Sequence, residues 1–80
     1  MADSTTRFRA LLEGGRIVVA PGAYDAASAN LVEQAGADVA YVSGSSVSTS
    51  VHGHPDVGLT TRTEMTDRAR QMVNTVDVPV

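Results

Sequence analysis

The stretch RIVVAPGAYDAASANLVEQAGADVAYVSG, residues 16–44, decides the fold. Residues 16–21, RIVVAP, predict a short buried strand, because a run of apolar, mostly β-branched residues stops at a proline. Residues 38–44, DVAYVSG, predict a second strand that is again nearly continuous in apolar residues. Such strands are typical of a parallel sheet that is covered on both faces.

The segment between these strands predicts a helix that carries the chain from one strand to the next. Asp25 is a natural N-cap, the residues that follow are rich in alanine, and Gly36 suits the C-terminal cap. The expected apolar face of this helix consists of Leu31, Val32 and Ala35. A strand–helix–strand unit of this kind predicts parallel strands joined by a right-handed crossover.

The flanking segments continue the alternation. Residues 7–13 predict a preceding helix, for which Asp3 or Ser4 could provide the cap. Residues 61–64, TRTE, fit a capping box and predict another helix, and residues 77–80, DVPV, predict the opening of a third strand. The apolar residues of the later helix recur at helical spacing: Met65, Ala69, Met72, Val73 and Val76. The sequence therefore predicts an α/β fold.

Composition limits the classes of protein to which the chain could belong. Eighty residues with 42% hydrophobic and 19% charged side chains indicate one small soluble domain, or a piece of a larger one, with no second domain. A net charge of −3, with dispersed arginines and no lysine, disfavours nucleic-acid binding. The longest apolar run, residues 17–20, is far too short for a membrane span. The N-terminus lacks the pattern of a secretory signal and cysteine is absent, so we expect a cytoplasmic protein.

A polar segment of 18 residues, 43–60, follows the second strand. Turns after such strands usually have about 2 to 6 residues, and in parallel α/β folds they lie on the face where ligands bind. The hydroxyls of Ser43 and Ser45 and the backbone around Gly44 can donate hydrogen bonds to a carboxylate or phosphate. Tyr41 is two residues before Ser43 and is expected on the same side of the strand. We therefore expect a substrate-binding site formed by Tyr41, Ser43, Gly44 and Ser45.

Asp56 is the one carboxylate of this segment. A carboxylate beside an anionic ligand is tolerable when a cation lies between them, which makes Mg²⁺ the natural candidate. The pair His52 and His54 could indicate zinc, but the sequence offers no third ligand nearby, so a solvated role is favoured.

Simpler roles remain open for each of these residues. Serine- and glycine-rich segments are typical of plain turns, and Asp56 after Pro55 also fits a turn. Tyr41 could be a core residue whose hydroxyl reaches water.

The quoted residues resemble a known family. APGAYDAASA, AGADVAYVSG, PDVGLTT and TVDVPV occur in that order in the N-terminal part of the isocitrate lyase/phosphoenolpyruvate mutase superfamily, which includes methylisocitrate lyases, carboxyphosphonoenolpyruvate phosphonomutases and oxaloacetate-decarboxylase-like proteins. The resemblance extends from about residue 7 to the end of the chain. Each piece alone is a weak pattern, and the ordered set is specific.

The resemblance implies a (β/α)₈ TIM barrel in a homotetramer. It implies a magnesium-dependent enzyme that acts on small 2-oxo or 2-hydroxy carboxylates by C–C cleavage, P–C mutase chemistry or decarboxylation. It also implies that Tyr41 lines the site, that Ser43, Gly44 and Ser45 hold the substrate carboxylate, and that Asp56 approaches the magnesium through water. His52 and His54 depart from the resemblance, because relatives more often carry apolar residues at these positions.

Such a barrel needs about 250 residues, so residues 1–80 are expected to be a truncated N-terminal segment of one barrel domain. The direct magnesium ligands and the catalytic loop of relatives lie beyond the equivalent of residue 80. We therefore expect the isolated chain to be inactive. The alternative is a small non-catalytic α/β module that binds an anion or another protein. The residues do not identify the substrate, and they do not separate lyase from mutase or decarboxylase.

Overall fold

The computed structural model describes residues 3–80 and shows a small α/β unit. Helices and short strands alternate along the chain in the predicted order. The elements are α1 (Ser4–Glu13), β1 (Gly22–Ala23), α2 (Ala26–Gln34), β2 (Tyr41–Val42), α3 (Gly44–Ser46), a π-helical segment (Val47–Val51) and α4 (Arg62–Val73). The α/β class is confirmed, whereas a closed barrel is not part of these 80 residues.

The strands β1 and β2 pair in parallel, with Gly22 opposite Tyr41 and Ala23 opposite Val42. The first strand was predicted over residues 16–21, and that position is wrong. Ile17 is 87% exposed, and the ladder begins only where the Tyr41 N–H donates to the Pro21 carbonyl. A β-branched run becomes a strand only where another strand accepts its hydrogen bonds, and residues 16–20 have no such neighbour within 3–80.

Residues 77–80 lie on the other side of β2. The Ala40 N–H donates to the Pro79 carbonyl over 2.9 Å. A carboxylate oxygen of Glu33 in α2 accepts from the N–H groups of Asp77 and Val78, at 2.6 and 3.0 Å. The third strand predicted here does not form a ladder in residues 3–80, but the segment occupies the expected place beside β2.

The core lies between one face of the strands and the helices α2 and α4. Its buried residues are Ala23, Ala29, Met72 and Val76, with Val32, Val42 and Val78 packed against them. The predicted face of α2 is therefore partly wrong. Val32 points inward as expected, but Leu31 and Ala35 are exposed, and Ala29 takes the innermost position. Small residues allow the close approach of the helix to the strands.

The helix boundaries follow from capping side chains. Asp3 caps α1 by accepting from the Thr6 N–H, so this helix begins three residues earlier than predicted. Asp25 caps α2 as predicted and forms a capping box with Ser28, and the predicted box of Thr61 and Glu64 begins α4. In residues 3–80, no helix is both long and apolar enough to cross a membrane.

Candidate functional site

Tyr41 and Ser43 lie on the face of the strands that the helices leave uncovered. Gly22 lies between them: a Cβ built at Gly22 would be 3.5 Å from Ser43 Cβ and 3.9 Å from the Tyr41 ring. Tyr41 is 58% exposed, whereas Ala40, which precedes β2, is buried and Val42 packs against the core. The alternation of side chains along β2 thus places the tyrosine and the serine on one open surface.

Ser43 caps the helical turn that follows β2. Its Oγ accepts from the Ser46 N–H at 3.2 Å, and its carbonyl accepts from the Val47 N–H at 2.9 Å. The N–H groups of Gly44 and Ser45 precede these bonds and donate to no acceptor in the described chain. Nothing lies within 4 Å of a Cβ built at Gly44. Two backbone donors and the Ser43 hydroxyl hydrogen are therefore open to a small anion.

The segment 43–60 is more ordered than the sequence indicates. It was predicted as a polar loop, but α3 and the π-helical segment make its first half helical. Val47 is fully buried and Ser48 is 4% exposed. The error arises because a single valine anchors this segment, and one apolar residue carries no periodicity from which a helix can be recognised. Such π-helical turns are rare and frequently occur at functional sites.

A chain of hydrogen bonds joins the π-helical segment to α4. Ser48 Oγ lies 2.9 Å from Thr60 Oγ1, and Thr60 Oγ1 lies 3.2 Å from His52 Nδ1. His52 Nε2 lies 3.3 Å from Glu64 Oε2, while Glu64 Oε1 accepts from the Thr61 N–H at 2.9 Å. Residue types alone could not reveal this network, because its members meet only once the segment folds back on α4.

Glu64 is the acidic member of this chain. Hydrogen bonds from the Thr61 N–H and hydroxyl lower the pKa of the Glu64 carboxyl most, and the nearby His52 and His54 lower it further. The carboxylate thus remains charged to lower pH than an ordinary glutamate, which suits it to accept from both Thr61 and His52.

The histidine pair does not form a metal site. Both ring nitrogens of His52 face Thr60 and Glu64, and within residues 3–80 no group of three histidine or acidic side chains could hold a metal ion. His54 Nδ1 is buried without a hydrogen-bond partner in the same range. The two side chains are less solvated than the sequence indicates, since the His52 side chain is 19% exposed and His54 Nδ1 is buried.

Asp56 lies apart from these groups in an exposed turn, where the Val57 N–H donates to the Pro55 carbonyl. Its carboxylate makes no hydrogen bond or ion pair with any residue from 3 to 80, and thus none with Ser43, Gly44 or Ser45. Mg²⁺ prefers six oxygen ligands and usually takes one or two carboxylates with several waters. Within residues 3–80, Asp56 belongs to no group of three acidic or histidine side chains that could hold a metal ion.

A cavity of about 350 Å³ opens beside Tyr41. Its lining is largely apolar and consists of Phe8, Ala20, Val39, Ala40, Tyr41, Val42 and Val80. Phe8 contributes from α1, a placement that helical spacing alone did not predict.

Comparison with known proteins identifies the family. The sequence profile of phosphoenolpyruvate phosphomutase matches residues 8–80. The chain is 44% identical over 78 residues to a 2,3-dimethylmalate lyase of Eubacterium barkeri, covering 98% of this chain and 27% of the relative. It is 46% identical over 67 residues to a chloroplastic carboxyvinyl-carboxyphosphonate phosphorylmutase of Arabidopsis thaliana, covering 84% and 20%.

A third relative is a 2-methylisocitrate lyase of Halalkalibacterium halodurans, 40% identical over 74 residues, with 92% of this chain and 24% of the relative covered. The chain thus spans between 20 and 27% of the length of these curated relatives. The range matched by the profile includes Tyr41 and Ser43. The chain belongs to the isocitrate lyase/phosphoenolpyruvate mutase superfamily.

Proposed function

We propose that this chain supplies the carboxylate-binding wall of an enzyme that acts on small 2-oxo or 2-hydroxy carboxylates, by C–C cleavage or by P–C rearrangement. The relatives named above are lyases and a phosphorylmutase. The observation that carries the proposal is the open set of donors at the end of β2: the Ser43 hydroxyl and the N–H groups of Gly44 and Ser45. Neutral donors of this kind hold an anion without a counter-charge.

The chemistry assigned to these residues is binding and orientation. The backbone donors and Ser43 would hold a carboxylate, and Tyr41, on the same face, would lie along the body of the ligand. Magnesium, when bound in a complete enzyme of this kind, supplies electrostatic stabilisation of negative charge developing on the substrate oxygen. Asp56 is proposed to approach it through water, with the direct ligands supplied by residues outside this chain. The isolated chain is therefore proposed to bind a carboxylate without turning it over.

The test is a titration of the chain with oxalate as the probe. Binding is monitored through the NMR signals of the Gly44 and Ser45 amides. We expect wild-type protein and Ser43→Asn to bind, because asparagine also caps a helix and is neutral. Ser43→Asp keeps the cap but adds a negative charge where the carboxylate would lie, and should weaken binding by about tenfold or more.

The matched control is Ser50→Asp, which adds the same charge at an exposed position of the same segment and should change binding far less. Equal weakening by both aspartates would show a general charge effect and contradict the proposed site. Turnover of methylisocitrate, oxaloacetate or phosphonopyruvate by the purified chain with Mg²⁺ would contradict the proposal that it only binds.

A further inference from the structure

His52 is the junction of the hydrogen-bond chain from Ser48 to Glu64, and that chain links the π-helical segment to the beginning of α4. On one side, Ser48 is buried within the π-helical segment that continues from Ser43. On the other side, Glu64 belongs to the first turn of α4. The side chain of His52 is 19% exposed, so its contacts are largely shielded from water.

One arrangement of hydrogens satisfies every member of the chain. His52 Nε2–H donates to the Glu64 carboxylate, which leaves Nδ1 to accept from the Thr60 hydroxyl. Thr60 Oγ1 in turn accepts from the Ser48 hydroxyl. Because Ser48 is buried, loss of Thr60 would leave its hydroxyl without this partner, and an unpaired buried polar group is costly.

The backbone beside His52 reinforces the link. The His52 N–H donates to the Val47 carbonyl at 3.2 Å and ends the π-helical segment. The His54 N–H donates to the Ser48 carbonyl at 2.8 Å. The residues that carry the candidate donors, Ser43 to Ser45, begin the same continuous helical segment. When His52 is held in place, the C-terminal end of the helical segment is therefore held as well, and the N-terminal end of the same segment carries the candidate donors.

We propose that His52 is a positioning residue: through Thr60 and Glu64 it holds the helical segment 44–51 against α4 and so keeps the Ser43, Gly44 and Ser45 donors aimed at the open face. The functional part of this inference rests on the proposed carboxylate site. The positional part concerns the order of the segment and is measurable without a ligand.

Hydrogen exchange of the wild-type chain and its variants measures the positional part. The reporters are the Ser46 and Val47 amides, which bond to Ser43, and the internal control is the Ala29 amide of α2. Thr60→Val preserves shape and removes the hydroxyl, and should lower reporter protection about fivefold while Ala29 protection falls much less. Thr60→Ser restores the hydroxyl and should restore protection. Thr49→Val, a similar change at an exposed residue of the segment, should have no effect.

Nitrogen NMR of the His52 ring provides a signature that a purely structural role would not require. We expect the Nε2–H tautomer in wild type and in Thr60→Val, because Glu64 still accepts from Nε2, and we expect the Nδ1 signal to shift in Thr60→Val, because Nδ1 then loses its donor. His52→Asn places a polar group near Nδ1 and should retain more reporter protection than His52→Phe. Equal reporter protection in Thr60→Val and wild type would overturn the inference, as would loss that is shared by Ala29.

Oxalate binding distinguishes this inference from the proposed function. Weaker binding in Thr60→Val, with intact binding in Thr49→Val, supports both. Wild-type protein that fails to bind oxalate refutes the proposed function, while the exchange measurement still decides whether His52 positions the segment. Wild-type binding that is unchanged in Thr60→Val, despite lost reporter protection, would overturn the claim that His52 aims the donors.

Discussion

Gly44 lies at the beginning of a helical segment, with open space where a Cβ would stand. Its backbone conformation is not one that requires glycine, so alanine is compatible with the fold and reduces the entropy of the unfolded chain. The absence of a side chain is nevertheless useful to the site, because a ligand can approach the Gly44 and Ser45 N–H groups closely.

Gly44→Ala is therefore expected to raise the free energy of unfolding by about 0.4–1 kcal/mol and to weaken oxalate binding. Denaturant unfolding and the binding titration measure the two effects on one protein. Gly14→Ala, at the end of α1, is the control for a stability change far from the site. Unchanged binding in Gly44→Ala would mean that the ligand does not approach this backbone.

The His54 side chain carries a polar atom that is buried without a partner in the described residues. Its Nδ1 is buried without a partner within residues 3–80, and a buried unpaired polar atom costs about 1–3 kcal/mol. His54→Leu removes that atom and should leave the free energy of unfolding unchanged or raise it by about 1 kcal/mol. His52→Leu, in which two partnered nitrogens are lost, should instead lower it. Denaturant unfolding of both variants provides the measurement, and a clear loss of stability in His54→Leu would reveal a partner for its ring.

At the scale of elements, capping side chains decide where helices begin and how stability responds to acid. Hydrogen bonds from the Ser28 N–H and hydroxyl lower the pKa of the Asp25 carboxyl below its usual value, with Arg68 contributing in the same direction. A carboxyl whose pKa is lower in the folded state contributes stability above its unfolded pKa, and this contribution is lost as pH falls through the folded pKa.

Asp25→Asn keeps a capping acceptor but cannot titrate. We expect the difference in the free energy of unfolding between wild type and Asp25→Asn to be constant above about pH 5 and to shrink as the pH falls below about 4. Urea unfolding at a series of pH values measures this. Asp3 and Glu64 also have lowered pKa values, and they titrate in both proteins, so the difference isolates Asp25. A difference that does not change with pH would show that Ser28 does not stabilise the charged carboxylate.

The elements also show what sequence could and could not predict. The caps at Asp25 and Thr61 were predictable, because the capping pattern is local and a few residues contain all of it. The strand at residues 16–21 was misplaced because a ladder depends on a distant partner. The His52 junction could not be inferred, since Ser48, Thr60 and Glu64 converge only in three dimensions. The placement of Tyr41 and Ser43 on the same side of the strand was predictable, because it requires only the two-residue period of a strand. The structure places the two side chains together.

At the scale of the whole molecule, the chain buries few large side chains: Met72 and Val47 are the largest that are fully buried. Many apolar side chains remain exposed, among them Ile17 at 87%, Val19 at 66% and Leu31 at 64%. Exposed apolar surface of this extent favours association, and residues 16–20 also present backbone groups without a strand partner in the described part of the chain.

We therefore expect the chain to self-associate as its concentration rises, and we expect Ile17→Arg to reduce this association. Leu31→Arg adds the same charge at a comparably exposed position on α2 and should reduce association less, because the helix backbone is internally bonded. Sedimentation velocity over a range of concentrations measures both. Wild-type protein that remains monomeric at high concentration would contradict the expectation.

The π-helical segment also limits how the chain tolerates insertions and deletions. Each turn there holds one more residue than an α-helical turn, since the His52 N–H reaches back five residues to Val47. Removing exposed Thr49 or Ser50 would let the turn relax into ordinary α-helix without disturbing Val47. The histidine N–H would then still reach the Val47 carbonyl, now four residues back as in an α-helix, so the imidazole would stay near Thr60 and Glu64. Homologues shortened by one residue at this point should therefore keep both the fold and a histidine at the junction.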